Sequence, residues 1–295
     1  MDYIIKNEYL TVEIRKKGAM LWSIKDNSNH EYLWQGIPPY WGDRAPNLFP
    51  CISGMTDGKY VYDGKTYELD FHGFAKDMDF EAEQISDSHI VFSIWNTEET
   101  YRQYPFQFLF SIIYRLEESK IIVTYQVRNN DDKEMYFAVG GHPGFNVPLD
   151  GKSTFDEWYL EFDTVENVKR VQISEDCLVT GELTDFPLAR GVKMPLRHNM
   201  FDNGAIILAD ASNTVTLKSD TSNMMVRITY PNMSYLGVWH QINASAPYVC
   251  VEPWSSLPAR DGIIEDLETH PTLISLKPKC NYENQWSIEI INEVK

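Results

Sequence analysis

The segment FQFLFSIIYRLEESKIIVTYQVRN (residues 106–129) decides the fold class. Apolar side chains recur at every second position on both sides of a polar link, LEESK, which is the period of a β-strand rather than of a helix. Two such runs joined by a short polar link predict a long antiparallel hairpin. The alternating positions are Phe106, Phe108, Phe110, Ile112 and Tyr114 in the first run, and Ile121, Val123, Tyr125 and Val127 in the second.

The same two-residue period recurs along most of the chain. YVYDGKTYEL carries Asp63-Gly64 between two β-rich arms, and this dipeptide favours a tight hairpin turn. Helical periodicity is nearly absent, so the crossover helices that a parallel sheet requires are not found. We therefore expect an all-β fold, an antiparallel β-sandwich or barrel with few helices, in which residues 150–200 are dominated by loops. Further strands are predicted at HIVFSIW (89–95), MYFAVG (135–140), AIILAD (205–210), TVTLKS (214–219), MMVRITY (224–230), YLGVWH (235–240), YVCVE (248–252) and QWSIEII (285–291).

Length, composition and charge limit the classes of function. No repeat, low-complexity tract or linker divides the 295 residues, so we expect a single domain over residues 1–295. The 26 basic and 43 acidic side chains give 26 − 43 = −17, a charge that repels nucleic acids and anionic lipid surfaces. We therefore expect neither nucleic acid nor a membrane as a partner.

The cysteines and the first residues indicate the compartment. The four cysteines form no C-x-x-C pair and have no metal-type spacing, which favours a reduced, cytoplasmic protein. MDYIIKNEYL lacks the basic and then apolar design of a secretory signal. No apolar run approaches the roughly 18 residues that span a bilayer.

Motifs of several common enzyme classes are missing from the sequence. No two of the seven histidines have H-x-H or H-E-x-x-H spacing, so a metal site local in sequence is unsupported. There is no Gly-x-Ser-x-Gly elbow and no glycine-rich loop that opens a helix. Three segments instead place a titratable group beside a break in a strand: HGF (72–74), GGHPGFN (140–146) and VCVEPW (249–254).

Two of these segments carry the candidate acid–base groups. Glu252 alternates with Cys250 in apolar surroundings, and desolvation there would raise the pKa of its carboxyl. His142 stands between two glycines and a Pro-Gly pair, and we expect Gly140, Gly141 and Gly144 to permit backbone angles that other residues resist. The structural alternatives are a turn histidine bonded to backbone and a solvated glutamate at a strand edge. Trp239 and Trp254 fit core or rim positions as well as a ligand platform.

Taken together, these segments resemble the aldose 1-epimerases, or mutarotases, of the galactose mutarotase-like superfamily. The resemblance covers essentially the whole chain and is strongest in RAPNLFPCISG (44–54), HGFAKD (72–77), GGHPGFNVPL (140–149), LGVWH (236–240) and YVCVEPWSS (248–256). It implies a large antiparallel β-sandwich, the supersandwich of that superfamily. It also implies interconversion of the α and β anomers of an aldose without a metal or organic cofactor.

The resemblance assigns roles to particular residues. Glu252 matches the catalytic carboxylate, expected to act as the base, and His142 matches the catalytic histidine, expected to act as the acid. His72 matches a second histidine that contacts the sugar. The remaining candidates for substrate binding are Arg44 in RAPNLFP, Asp202 in MFDNGAIIL and Trp239 in LGVWH; an alternative alignment puts Gly204 in place of Asp202.

The expected function is therefore that of a cytoplasmic isomerase acting on a small sugar, as a monomer or homodimer. A hexose-6-phosphate mutarotase is the alternative within the same chemistry, with Arg44 and Lys76 as candidate phosphate ligands. A carbohydrate-binding β-sandwich without turnover is the alternative of a different class.

Overall fold

The structure, a computed structural model, describes residues 2–163 and 167–292, and its helices are few and short. They are the α-helix α1 (Glu98–Gln103) and 3₁₀ turns at Thr56–Gly58, Ala75–Asp77, Phe155–Glu157 and His198–Phe201. None of the helices in the described ranges has the length and apolar character needed to cross a lipid bilayer.

Strands form nearly all the remaining regular structure. In chain order they are β1 (Asp2–Lys6), β2 (Leu10–Arg15), β3 (Leu21–Asp26), β4 (Asn47–Leu48), β5 (Lys59–Tyr62), β6 (Lys65–Glu68), β7 (Glu81–Ser86), β8 (His89–Trp95), β9 (Phe108–Glu117), β10 (Lys120–Asn129), β11 (Met135–Phe137), β12 (Gly140–Gly141), β13 (Gly144–Asn146), β14 (Trp158–Phe162), β15 (Lys169–Ile173), β16 (Val179–Asp185), β17 (Lys193–Pro195), β18 (Ile206–Ala209), β19 (Thr214–Ser219), β20 (Met224–Thr229), β21 (Tyr235–Trp239), β22 (Tyr248–Trp254), β23 (Glu265–Asp266), β24 (Ile274–Leu276) and β25 (Asn281–Asn292).

Two large antiparallel sheets dominate the architecture, as the sequence predicts. One has the order β17-β14-β19-β20-β25-β10-β9-β8-β7. The other has the order β16-β15-β18-β21-β22-β12-β4, with β13 also paired to β22. Smaller sheets join β1-β2-β3, β23-β5-β6 and β11-β24.

Both predicted hairpins are present. β9 and β10 pair from Glu117 with Lys120 to Phe108 with Asn129, which leaves a two-residue turn. The turn between β5 and β6 has positive φ at Asp63 (48°) and at Gly64 (67°), as a tight hairpin turn of this kind requires.

Strand alternation divides the second large sheet into two different faces. Leu208, Leu236 and Val251 belong to the main apolar core, to which the first large sheet also contributes. The preceding or following residue in each strand points to the opposite face. That face, which carries Ile207, Gly237 and Glu252, is the one on which the candidate site is built.

One part of the chain has more strands than the sequence predicts. Residues 150–200, where loops were expected and no strand was predicted, contain β14 to β17. Their burial shows why alternation missed them: Trp158–Phe162 is buried at nearly every position, whereas Val179–Asp185 is exposed at most positions. A two-residue period appears only in strands with one buried and one exposed face.

Candidate active site

Pairing with β22 places His142 opposite Glu252. Gly140 in β12 pairs with Trp254, and Gly144 in β13 pairs with Cys250. The short stretch between β12 and β13 therefore lies across from the centre of the VCVEPW segment. Two motifs more than a hundred residues apart in the sequence thus become neighbours in one sheet, and this register is not visible in either motif alone.

His142 and Glu252 contact each other on the wall of an open cavity of about 310 Å³. The distance from His142 Nε2 to Glu252 Oε2 is 3.2 Å. The Glu252 side chain is 1 % exposed and that of His142 is 10 % exposed, so solvent reaches the pair chiefly through the cavity. Glu252 Oε2 and His142 Nδ1 are buried without a hydrogen-bond partner in the protein.

Burial sets the charge of this pair. It raises the pKa of the Glu252 carboxyl well above its ordinary value, an effect partly opposed by the Trp254 side chain. It lowers the pKa of His142 to about 3, partly opposed by a backbone hydrogen bond. Both shifts favour the neutral form, in which the carboxyl holds the one proton of the pair.

Backbone hydrogen bonds fix the stretch that carries His142. The His142 N–H donates to Pro46 O (3.0 Å), and the Val251 N–H donates to Pro143 O (3.1 Å). The Gly144 N–H donates to Arg44 O (2.8 Å). The backbone that carries the imidazole is therefore held on one side by residues 44–46 and on the other by β22.

The three glycines around His142 are required by space rather than by backbone angle. None of Gly140, Gly141 and Gly144 has a positive φ, which corrects the expectation from the sequence. A Cβ at Gly140 would lie 2.8 Å from the ring of Trp254, and one at Gly141 would lie 2.5 Å from the ring of Trp286. At Gly144 the nearest atom, in the ring of Trp41, would be 3.1 Å away.

A backbone hydrogen bond to Nδ1 of His72, which lines the cavity, determines which nitrogen of the ring carries the hydrogen. His72 has a positive φ of 64°, a conformation uncommon for a residue with a side chain. Its Nδ1 accepts a hydrogen bond from the Ser53 N–H (2.9 Å), so in the neutral ring the hydrogen is on Nε2. Burial lowers the pKa of His72 well below its ordinary value, and the charges of His142 and Lys76 add to this. His72 is therefore a neutral hydrogen-bond donor on the cavity wall.

Aromatic rings surround the acid–base pair. The Trp41 ring lies 4.8 Å from that of His142, centroid to centroid, and Trp239 lies edge-on to both at 5.6 to 5.8 Å. Trp254 and Phe71 also line the cavity. Trp239 was a sequence candidate, whereas Trp41 lies in the loop GIPPYWGD, where no periodicity or motif singles it out.

Arg44 and Asp202 are not among the residues that line the cavity. The Arg44 guanidinium lies 3.7 Å over the Trp22 ring and donates to Trp22 O and to Gln35 Oε1. Asp202 is exposed at the end of the 3₁₀ turn His198–Phe201. Gly204, the alternative to Asp202, is also absent from the cavity wall.

Apolar side chains occupy the wall where an acidic ligand was expected. Ala205 and Ile207, which follow Asp202 in the chain, line the cavity together with Ile173. Ile207 pairs with Gly237, and Gly237 pairs with Glu252, so this wall continues directly from the carboxylate. Asp43, Ser53, Lys76 and Cys177 supply polar groups elsewhere on the lining.

A third potential ligand atom lies close to the pair. The donor atoms of His142, Cys250 and Glu252 are all within 4.8 Å of one another, and all three residues are buried. Burial raises the pKa of the Cys250 thiol well above its ordinary value, and the Glu252 charge adds to this. Sequence spacing could not reveal this set, because His142 joins it only through strand pairing.

Comparisons with known proteins agree with the fold and with the motifs. A family model described as aldose 1-epimerase matches residues 1–272. Protein LacX (plasmid) of Lactococcus lactis subsp. lactis is 33 % identical over 308 residues, covering 99 % of this chain and 100 % of that protein.

Two solved structures from lactobacilli are similar over the whole chain. A galactose mutarotase-like protein from Lactobacillus casei ATCC 334 has a TM-score of 0.93 at 32 % identity, covering 98 % of this chain and 100 % of that one. A galactose mutarotase related enzyme from Lactobacillus acidophilus has a TM-score of 0.94 at 32 % identity, covering 100 % of both.

Proposed function

The chain belongs to the aldose 1-epimerase family, and from this premise we propose that it interconverts the α and β anomers of an aldose, with Glu252 and His142 as the acid–base pair. The observation that carries the proposal is the 3.2 Å contact between these two side chains on the wall of a cavity. A base and an acid must both reach one sugar ring, and this pair is positioned for that.

The proposed reaction consists of the opening of the sugar ring and its closing again. Glu252 takes the proton of the anomeric hydroxyl while His142 protonates the ring oxygen, and the bond between C1 and the ring oxygen breaks. The open-chain aldehyde then rotates about its C1–C2 bond. Closing runs the two proton transfers in reverse and gives either anomer, so no proton is gained or lost over a turnover.

The proposed roles require a proton shift when the sugar binds. In the empty cavity, burial keeps the proton on Glu252, whereas ring opening begins with the proton on His142. His142 Nε2 and Glu252 Oε2 lie 3.2 Å apart, so a reorientation of either side chain would form the hydrogen bond along which the proton moves. Sugar hydroxyls would then donate to Glu252 Oε2, which has no hydrogen-bond partner in the protein, and would stabilise the carboxylate.

The remaining contacts follow from the cavity lining. His72 Nε2–H would donate to a sugar oxygen, because Nδ1 is already occupied by the Ser53 N–H. Trp239 and Trp41 offer flat apolar faces for the C–H groups of a pyranose. Arg44 receives no role in substrate binding, since its guanidinium is engaged with Trp22 and Gln35.

The charges on the wall favour an uncharged sugar over a sugar phosphate. Among the described residues that line the cavity, Lys76 is the only lysine or arginine. Its ammonium contacts the Asp77 carboxylate, and Asp43 adds a carboxylate to the lining. A phosphate group is usually bound by several converging donors, including charge-assisted hydrogen bonds from cations.

The test is the rate of anomer exchange, measured by polarimetry or NMR across a panel of free aldoses. We expect the wild type to accelerate exchange, and Glu252→Gln and His142→Asn each to reduce the enzymatic rate by about 10²–10⁴-fold, the usual contribution of one positioned acid or base. Glu283→Gln, at an exposed position on β25, and His89→Asn, on β8, provide the same substitutions away from the cavity and should keep the wild-type rate.

Two results would contradict the proposal. If the wild type exchanges anomers no faster than the two cavity variants, the protein is a sugar-binding sandwich rather than an enzyme. If a hexose 6-phosphate is turned over and free aldoses are not, the substrate class is wrong although the chemistry stands.

A further inference from the structure

Cys250 has no role in the proposed reaction, although its thiol lies beside both groups that do. It alternates with Glu252 on one face of β22, and its backbone pairs with that of Gly144, two residues after His142. The imidazole, thiol and carboxylate atoms are all within 4.8 Å of one another. The described residues contain no second group of three or more such side chains.

This set of donors suits one class of ligand. Imidazole, thiolate and carboxylate are the side chains that bind zinc, at roughly 2.0–2.3 Å from the ion. Donors bound to one tetrahedral ion at such distances lie roughly 3–4 Å apart, and His142 Nε2 and Glu252 Oε2 are already 3.2 Å apart. Only a small movement of Cys250 would be needed to complete three ligands.

Two independent features support binding of a cation here. Glu252 Oε2 is buried without a hydrogen-bond partner, which is costly unless another group occupies the site. A divalent ion bound by one thiolate, one carboxylate and a neutral imidazole also forms a group with no net charge, which is the form best tolerated in an apolar environment.

We propose that His142, Cys250 and Glu252 form a binding site for Zn²⁺, and that the bound ion inhibits the enzyme. Binding releases the protons of the Cys250 thiol and the Glu252 carboxyl to solvent. The ion then holds the Glu252 carboxylate and the His142 imidazole, so neither can exchange protons with the sugar. His142 and Glu252 line the cavity, so a water molecule from the cavity would complete the four ligands of the ion. The binding part stands on the geometry alone, whereas the inhibition part rests on the proposed function.

The thiolate should make the site selective. Mg²⁺ and Ca²⁺ prefer several oxygen ligands, and this site offers one carboxylate. We therefore expect Zn²⁺ and Co²⁺ to bind, and Mg²⁺ to have no effect at the same concentration.

Binding is tested without reference to activity. Zn²⁺ affinity is measured by competition with a chromophoric chelator, and Co²⁺ is used as an optical probe because a cobalt–thiolate bond gives a charge-transfer absorption band. We expect one ion per chain and the thiolate band in the wild type. Cys250→Ser should lose the band and bind Zn²⁺ at least about tenfold more weakly, since even the loss of a group that only supports a ligand costs that much.

Two further variants keep this test decisive. Cys177→Ser changes a cysteine on the same cavity wall and should keep the band and the affinity. If Cys250→Ser fails to fold, Glu252→Gln must weaken Zn²⁺ binding in its place. The proposal is overturned if the wild type binds no stoichiometric Zn²⁺, or if the folded Cys250 or Glu252 variant keeps the wild-type affinity.

Inhibition is tested by the ratio of each protein's exchange rate with and without ZnCl₂. The wild-type rate should fall at least tenfold and return after EDTA is added, whereas the rate of Cys250→Ser should fall much less at the same ZnCl₂ concentration. If the wild type never exchanges anomers but shows the cobalt–thiolate band, the proposed function fails and the metal site stands. If exchange is normal and unaffected by Zn²⁺, the inhibition part fails and the proposed function stands.

Discussion

His142 and Glu252 face each other because one strand, β22, pairs with the chain on both sides of the histidine. The sequence motifs single out the two residues, since each places a titratable side chain beside an abrupt change of backbone, whereas their expected roles come from the family resemblance. The protonation of the pair depends on burial, and its geometry on a 3.2 Å contact, and only the folded chain defines both.

The burial of this pair predicts an unusual pH profile. Because the pKa of His142 is lowered to about 3 and that of Glu252 is raised, the free pair holds one proton across the whole range between them. We therefore expect kcat/KM for anomer exchange, after subtraction of the spontaneous rate, to stay flat as the pH falls from about 6.5 to about 5, well above the pKa of His142. An acid limb centred near pH 6.5, where an unperturbed histidine titrates, would contradict the buried neutral pair.

Arg44 shows what residue-level analysis cannot supply. Its backbone is part of the site, since Arg44 O accepts the hydrogen bond from Gly144. Its side chain turns the other way, onto the Trp22 ring. The RAPNLFP motif locates the backbone correctly, but the direction of a long side chain depends on which aromatic ring packs beside it, and Trp22 lies on a distant strand.

At the level of elements, the alternation of apolar side chains predicted the strands that have one buried and one exposed face. It missed the strands that are buried on both faces or exposed on both. β9 and β10 alternate cleanly and were predicted. β14 is almost continuously buried and β16 is mostly exposed, so neither has the two-residue period. The order in which the strands pair could not be predicted from the sequence, because pairing joins segments that are far apart in the chain. The contact between His142 and Glu252 could not be predicted for the same reason.

Gly237 on β21 allows the Trp254 ring to lie across the strand beside Glu252. A Cβ at Gly237 would be 2.8 Å from that ring. We expect Gly237→Ala to lower the free energy of unfolding by about 1–3 kcal/mol, the usual cost of overpacking a dense region, and to reduce anomer exchange by displacing Trp254.

Urea unfolding of Gly237→Ala beside Gly42→Ala checks this expectation. A Cβ at Gly42 would meet no atom within 4 Å, so the control should stay within about 0.5 kcal/mol of the wild type. Equal stability of the two variants would show that Trp254 can move aside freely.

For the whole molecule, buried histidines should make stability depend on pH. Burial lowers the pKa of His142 to about 3 and of His240 to about 4, and lowers that of His72 well below its ordinary value. The unfolded chain protonates these rings near pH 6.5 and the folded chain does not, so stability falls as pH falls. Each contributes a loss of about 1 kcal/mol between pH 6.5 and 5.5.

Buried carboxyls have the opposite effect on the free energy of unfolding, which they increase as the pH falls. The raised pKa values of Glu252 and Glu31 mean that the folded chain keeps protons that the unfolded chain loses above pH 4.5. They offset part of the histidine contribution, so we expect the free energy of unfolding to fall from pH 6.5 to 5.5 by less than the histidines alone would give, as urea titration at the two pH values would measure. His240→Gln should reduce this loss, whereas His89→Gln, at a half-buried position on β8, should leave it unchanged.

The aromatic lining of the cavity also gives the protein an optical reporter of its own. Trp41, Trp239 and Trp254, three of its eight tryptophans, border the space that a sugar would fill. Indole fluorescence responds to the polarity and quenching groups around it, and a ring that displaces water there would alter the emission. Affinity for each candidate sugar can therefore be titrated without a label in Glu252→Gln, where occupancy of the cavity is separated from turnover.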